Sequence, residues 1–205
     1  MKIDFIPAII FAGGKSRRMG RDKSLLPFGD FSTLTEYQFN RLSEIFTTVF
    51  ISSKENKFDF VTQQNLENIL ILDEVEKYSV FAPTLGLFSV MNFLKNKTNF
   101  KYFMILSVDS PFFGKKEISK LIEELEKDQN LDLIIAKTEN GLEPLLSIYS
   151  VNLISQIEEM LKTDNHKLNF FIRNYDSNRK KEVIFSDLEA FENLNFFEEY
   201  QKYQK

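Results

Sequence analysis

The stretch FIPAIIFAGGKSRRMGRDKSLL, residues 5–26, restricts what this chain can fold into more than any other. Its apolar run Ile9, Ile10, Phe11 stops at Ala12-Gly13-Gly14, and Lys15, Ser16, Arg17, Arg18, Gly20, Asp22 and Lys23 are crowded in directly behind. That pattern is a buried strand emptying into a glycine turn. Two adjacent glycines let the backbone turn sharply and approach a ligand with no Cβ in the way, while free amides and flanking cations suit a phosphate chain. Two familiar phosphate loops are excluded by spacing. A Walker A loop ending in Gly14-Lys15-Ser16 needs a glycine where Ile9 stands, and the dinucleotide motif G-x-G-x-x-G fails because Gly13 and Gly14 are adjacent and the next glycine is Gly20. A plain solvated loop has little need for two glycines, two arginines and an Asp-Lys pair in one place. The turn is a candidate nucleotide cradle.

Composition narrows the chemistry. The 205 residues suffice for one domain with a substantial core, and residues 1–205 are expected to form a single unit. With one histidine and no cysteine, neither a histidine-cysteine zinc site nor a cysteine-histidine dyad can be assembled, so any metal should have oxygen ligands, which favours Mg2+. The net charge of −4 argues against nucleic-acid binding, although Lys15, Arg17, Arg18, Arg21 and Lys23 make a positive patch suited to a small anion. The start MKIDFIPAII lacks the features of a signal peptide and no run reaches membrane-spanning length, so a cytoplasmic protein without a membrane partner is expected. The 22 phenylalanines read as core filling, and His166 as a residue on a solvated helix start.

Strands and helices alternate along the chain. Leu34, Tyr37, Leu42, Ile45 and Phe46 predict a helix over 33–46 capped by Ser32 or Thr33, followed by a strand over 47–53. A short helix is expected over 57–66, a strand over 68–72 closed by Asp73, and a helix over 84–94. The strand predicted over 101–108 runs into Asp109-Ser110-Pro111-Phe112, where Pro111 stops the ladder. Further on come a helix over 115–127, a strand over 131–137, a turn at Asn140-Gly141 and a returning strand over 145–149. Helices over 151–162 and 167–173 and a short strand over 182–185 complete the pattern. It predicts an α/β fold: a single three-layer, Rossmann-like domain with a mainly parallel sheet and at least one antiparallel strand. Ligands of such sheets gather beyond the carboxyl ends of the strands. Asp73 is therefore placed to contact a ribose or a base amino group, and Asp109 stands at the exit of a central strand.

Phe11-Ala12-Gly13-Gly14-Lys15-Ser16-Arg17-Arg18-Met19-Gly20-Arg21-Asp22-Lys23 resembles the signature L-A-G-G-x-S-x-R-M-G-x-D-K of the molybdenum cofactor guanylyltransferases, the MobA family of nucleotidyltransferases; Phe11 for leucine is the one departure. Asp109-Ser110-Pro111-Phe112 is similar to the family's x-D-x-P-[FY], and Phe191-Glu192-Asn193-Leu194-Asn195 to its F-x-N-x-N. Ala82-Pro83-Thr84-Leu85-Gly86 keeps the Pro and last Gly of G-P-L-x-G, and Phe196-Phe197 stands where the family has Thr-Pro. The resemblance implies transfer of GMP from GTP to the terminal phosphate of molybdopterin, with or without molybdenum, with release of pyrophosphate. It implies nucleotide contacts from Phe11, Ala12, Gly13, Gly14, Ser16, Lys23, Ser52, Asp73 and Asp109, catalytic roles for Arg18, Lys23 and Asp109, and magnesium held by Asp109 and Asn195. Asp22 would orient Lys23 or Arg18, Glu143-Pro144-Leu145 would lie near the acceptor, and cofactor-insertion proteins would be transient partners. Two alternatives remain at this level: a relative using CTP or a sugar-phosphate acceptor, and a nucleotide-binding accessory protein without turnover.

Overall fold

The computed structural model of the chain describes residues 2–14, 20–74, 76–78, 82–163, 165–194 and 200–201. At its centre β1 (Ala8–Phe11) pairs in parallel with β2 (Val49–Ser53) on one side and β4 (Tyr102–Ser107) on the other. Covered on both faces, β1 carries only apolar side chains, as a parallel strand between two helical layers must. With β3 (Leu70–Leu72), β5 (Leu133–Thr138), β6 (Gly141–Ser150) and β7 (Lys180–Ile184) the sheet has seven strands in the order β3-β2-β1-β4-β6-β5-β7. Only β6 runs against the others, pairing antiparallel with both β4 and β5. The predicted mainly parallel sheet with an antiparallel strand is found.

Alternate residues feed two cores. Ala8, Ile10, Met104 and Leu106 pack towards α1 (Leu34–Ser43), α2 (Asp59–Gln63) and α4 (Lys115–Lys127). Ile9, Phe103 and Ile105 pack towards α3 (Pro83–Lys97), α5 (Ile154–Leu161) and α6 (Leu168–Asn174). The period-two pattern of the strands thus divides the helices into two layers. Thr33 caps α1 by accepting from the Glu36 amide at 3.0 Å, and α4 has the predicted bounds. Among the described residues no helix is long and apolar enough to cross a membrane.

Three local expectations change. The short helix expected over 57–66 is confined to Asp59–Gln63. The strand expected over 145–149 extends back to Gly141 and contains Pro144, because the β5–β6 register slips: Ile135 faces Ser147 while Ala136 faces Glu143. A proline, lacking an N–H, is accommodated in such a bulge. Ser147 Oγ pins the bulge, donating to the Glu143 carbonyl at 2.7 Å. His166, just ahead of α6, is half-buried rather than fully solvated: Nδ1 is shielded, and its carbonyl accepts from Thr84 Oγ1 at 3.0 Å.

The end of the sheet away from the glycine turn is tied by Asp132, buried just before β5. Its carboxylate accepts from the Tyr175 hydroxyl at 2.6 Å and from Arg179 Nε. Burial alone would raise the Asp132 pKa, but hydrogen bonds from Arg179, Tyr175 and Ser150 outweigh it and hold the carboxyl below the ordinary range. Burial, then the Asp132 bond, pushes the Tyr175 hydroxyl up to about 12.

Candidate active site

The ladder hydrogen bonds run to the very end of β1. Ala12 N donates to Ser52 O at 2.9 Å and Val108 N to Phe11 O at 3.1 Å, so the chain leaves the sheet between β2 and β4. Gly13 is half-buried and Gly14 exposed. Ser16 and Arg18, both expected in the site, lie outside the described residues. The chain re-enters at Gly20, whose φ of +65° suits glycine, and Asp22 then caps the 3₁₀ turn Lys23–Leu25. Its Oδ1 accepts from the Ser24 amide at 3.0 Å and the Ser24 hydroxyl at 2.6 Å.

From this turn Lys23 Nζ reaches the Asp109 carboxylate in a direct ion pair, with both side chains 15% exposed. Asp109 follows β4, and its other oxygen accepts from Ser107 Oγ. A single helix braces both partners. Thr35 Oγ1 on α1 donates to the Ser24 carbonyl at 2.8 Å, and one turn further Gln38 Nε2 donates to the Val108 carbonyl at 3.2 Å. Both residues are wholly buried. Sequence reasoning gave neither a role. The signal that could have found them was polar side chains on the apolar face of an amphipathic helix. A third support comes from the C-terminal segment, where Leu194 N donates to Asp109 O at 2.9 Å and Ser110 Oγ to Asn193 Oδ1 at 2.5 Å. Asn195, the second expected metal ligand, lies outside the described residues.

Asp22 acts on Lys23 through the turn it caps, and Arg18, its other expected partner, lies outside the described residues. Besides capping Lys23's turn, the Asp22 carboxylate pairs with Lys57 at 2.5 Å, and Lys57 also donates to the Ala12 carbonyl at 3.0 Å.

Beyond β2 and β3 a second group of residues converges. Ser52 Oγ donates to Asp73 Oδ1 at 3.3 Å, and Asp73 is 9% exposed. A Cβ placed on Gly13 would stand 3.5 Å from Asp73 Oδ2, and one on Gly86, in the first turn of α3, would stand 3.4 Å from Ser52 Oγ and from Phe11 Cε2. Phe11, Gly13, Ser52, Asp73 and Gly86 thus share one niche, kept open by two glycines. Burial raises the Asp73 pKa, and the Ser52 hydrogen bond and Lys54 oppose the rise. Glu143, half-buried on the bulge of β6 beside the exit of β4, likewise has its carboxyl raised by burial.

Among the described residues no three Asp, Glu, His or Cys side chains gather as an all-protein metal cage. A lone carboxylate with a neighbouring hydroxyl fits a hard cation that takes most of its ligands from phosphates and water, the usual habit of magnesium, and an ammonium beside it fits those phosphates. Asp109 with Ser107 and Lys23 is such a set.

A mainly parallel three-layer sheet, with a cationic glycine turn and an acid at adjacent central strand ends, defines a nucleotide-handling α/β protein. The family model of the MobA-like NTP transferase domain matches residues 8–180. The chain belongs to the MobA-like NTP transferase family. It is 38% identical over 204 residues to the molybdenum cofactor guanylyltransferase of Campylobacter jejuni subsp. doylei, spanning 100% of this chain and 98% of that one. With the molybdenum cofactor guanylyltransferase of Helicobacter pylori (strain G27) the identity is 28%, across 97% of this chain and 92% of the relative. In fold it is similar to molybdopterin-guanine dinucleotide biosynthesis protein A of Archaeoglobus fulgidus, at a TM-score of 0.75, 19% identity and 96% coverage of both chains.

Proposed function

We propose that this chain is a molybdenum cofactor guanylyltransferase, acting in the cytoplasm through residues 1–205 as one nucleotidyltransferase domain. The terminal phosphate of molybdopterin, or of its molybdenum-bearing form, attacks the α-phosphorus of GTP. The bond to the β-phosphate breaks, pyrophosphate leaves, and the guanine dinucleotide cofactor is formed. Such a transfer asks little covalent chemistry of the protein; alignment and charge neutralisation suffice. The observation that carries this reading is the meeting of Lys23 and Asp109 across the ends of β1 and β4.

Each described residue has a part. The Gly13 and Gly14 amides donate to the phosphates. Lys23 exchanges its carboxylate partner for phosphate oxygens and offsets the charge of the departing pyrophosphate. Asp109, freed from Lys23, would hold magnesium, which would supply charge neutralisation at the triphosphate. Asp73 faces the base niche, where a carboxylate matches the N1–H and 2-amino donors of guanine; neither cytosine nor adenine offers that donor pair. Ser52 orients Asp73, and Phe11 and Ala12 form the wall. Arg18 and Ser16 are proposed as further phosphate contacts and Asn195 as a second metal ligand, on the strength of the motif. Cofactor-insertion proteins would receive the product by transient contact, and the acidic net charge speaks against nucleic acid as a partner.

Pyrophosphate release with GTP, CTP or ATP, with and without magnesium and molybdopterin, tests the proposal. Turnover is expected with GTP only, and only when metal and acceptor are both present. Preference for CTP would move the enzyme to a cytidylyl-transferring branch. Tight GTP binding without pyrophosphate release would make it an accessory protein.

A further inference from the structure

Lys57 lies in the segment between β2 and α2, outside every motif of the sequence. Its ammonium donates to the Ala12 carbonyl at 3.0 Å and to Asp22 Oδ2 at 2.5 Å, and its side chain is 15% exposed. Nζ also lies 5.5 Å from the centroid of the Phe58 ring. Its two acceptors are the residue before the glycine pair and the residue that caps Lys23's turn. One cation therefore ties the two ends of the glycine turn together.

Removing an ammonium from water is costly, and a surface loop could satisfy the same two oxygens with solvent. What solvent cannot do is fix the distance between the two ends of the turn, or cancel a carboxylate one residue from Lys23. We infer that Lys57 is a positioning residue for nucleotide binding: it closes the base of the glycine turn, sets Lys23 relative to the Gly13 and Gly14 amides, and neutralises Asp22. The incoming triphosphate then meets cations and amides rather than an uncompensated carboxylate. The inference rests on the nucleotide-transfer reading and assigns a residue to that same site.

The test compares the full-length wild type with Lys57→Met, Lys57→Gln, Lys57→Arg and the double variant Lys57→Met/Asp22→Asn. Two quantities are measured: the Kd of magnesium-GTP by titration calorimetry, and kcat and KM in pyrophosphate release. Methionine keeps an apolar stem against Phe58 and removes only the charge. Kd and KM for GTP are expected to rise on the order of tenfold, with a smaller change in kcat, because a charge-assisted anchor is lost. Arginine, able to bridge two oxygens, should recover part of the loss. Asp22→Asn in the methionine background should also recover part, because it removes the exposed charge while its side-chain oxygen still caps the Ser24 amide. A merely structural role would move the melting temperature and leave this pattern of rescue absent. Wild-type Kd and KM in Lys57→Met, or a double variant weaker than the single one, would overturn the inference. Should Lys57→Met fail to fold, wild-type Kd in Lys57→Gln would overturn it in the same way. A wild type that binds no nucleoside triphosphate removes the transfer reading and the inference together, whereas a binding wild type with an indifferent Lys57→Met removes the inference alone.

Discussion

Lys23 and Asp109, separated by 86 positions in the chain, form an ion pair over the gap between β1 and β4. At that gap the strand order reverses direction, with β2 and β3 on one side and β4 on the other. In open α/β sheets ligands gather at such a switch point, beyond the carboxyl ends of the strands. In the proposed reaction each member of this partly buried ion pair takes another partner: phosphate for the ammonium, a divalent cation for the carboxylate.

Lys23→Met removes the ammonium and leaves the turn, which Asp22, Ser24 and Thr35 hold without it. A loss in kcat/KM of roughly a hundredfold or more is expected, the usual scale for one preorganised charge contact. Steady-state kinetics with GTP varied at saturating acceptor checks it.

Gly86→Ala separates stability from binding. Alanine replaces glycine inside α3, where it favours the helix by up to about 1 kcal/mol, and its Cβ would meet its neighbours at 3.4–3.5 Å, an ordinary contact distance. The melting temperature should hold or rise. The new methyl group stands in the niche shared by Phe11, Ser52 and Asp73, so GTP affinity should fall by at least about tenfold, one misplaced methyl being worth about 1–3 kcal/mol in a fitted site. Thermal denaturation and calorimetry on the same sample read both.

Asp73 makes the apo protein pH-sensitive in a direction opposite to most carboxylates. Its folded pKa is raised, chiefly by burial, so between the unfolded value near about 3.9 and the folded value the native state binds more protons than the unfolded chain. Stability then falls as pH rises through that window. Asp73→Asn should raise the melting temperature relative to wild type at pH 7, with the gain shrinking as the pH is lowered past the unfolded value. The same variant should lose preference for GTP over other nucleotides. Melting curves across the pH range and competition binding test the two halves separately.

Asp132 behaves with the reverse sign. Its folded pKa is lowered, since the Arg179, Tyr175 and Ser150 bonds outweigh burial, so it stabilises the fold above about pH 3.9 and loses that contribution as pH falls through the folded value. Asp132→Asn should cost about 1–3 kcal/mol at pH 7, the usual scale for a hydrogen bond to a charged group, and little in strong acid. Because Asp132 sits at the end of the sheet away from the glycine turn, kcat and KM should stay at wild-type values. Chemical denaturation at several pH values, with an activity assay, decides it.

The sequence carried the fold wherever local pattern and tertiary demand agree. The apolar run of β1, the apolar stripe of α4 and the Asn140-Gly141 turn are each specified by neighbouring residues, and all stand where their patterns place them. The positions of Gly13 and Asp109 at adjacent strand ends followed from the same rules. What escaped depends on partners distant in the chain. Lys57 meets Asp22 only because the chain after β2 folds back under the glycine turn, and no local pattern records that return. Gln38 supports Val108 from 70 positions away, and on a helical wheel it reads merely as a polar residue on the wrong face. The strand expected from Leu145 onward includes Pro144, because the slip that accommodates the proline belongs to the pairing with β5, not to β6 itself.

Asp109→Asn offers the most direct measurement, since asparagine keeps the shape of the side chain and removes the charge that a divalent cation needs. Magnesium-dependent pyrophosphate release from GTP in the presence of molybdopterin should fall by roughly a hundredfold or more, with the fold retained at a lower melting temperature, because one hydrogen bond between charged groups, worth about 1–3 kcal/mol, is weakened. Turnover near the wild-type rate, with an unchanged magnesium dependence, would contradict the assignment of Asp109 to the metal and, with it, the joint hold of Lys23 and Asp109 on one triphosphate.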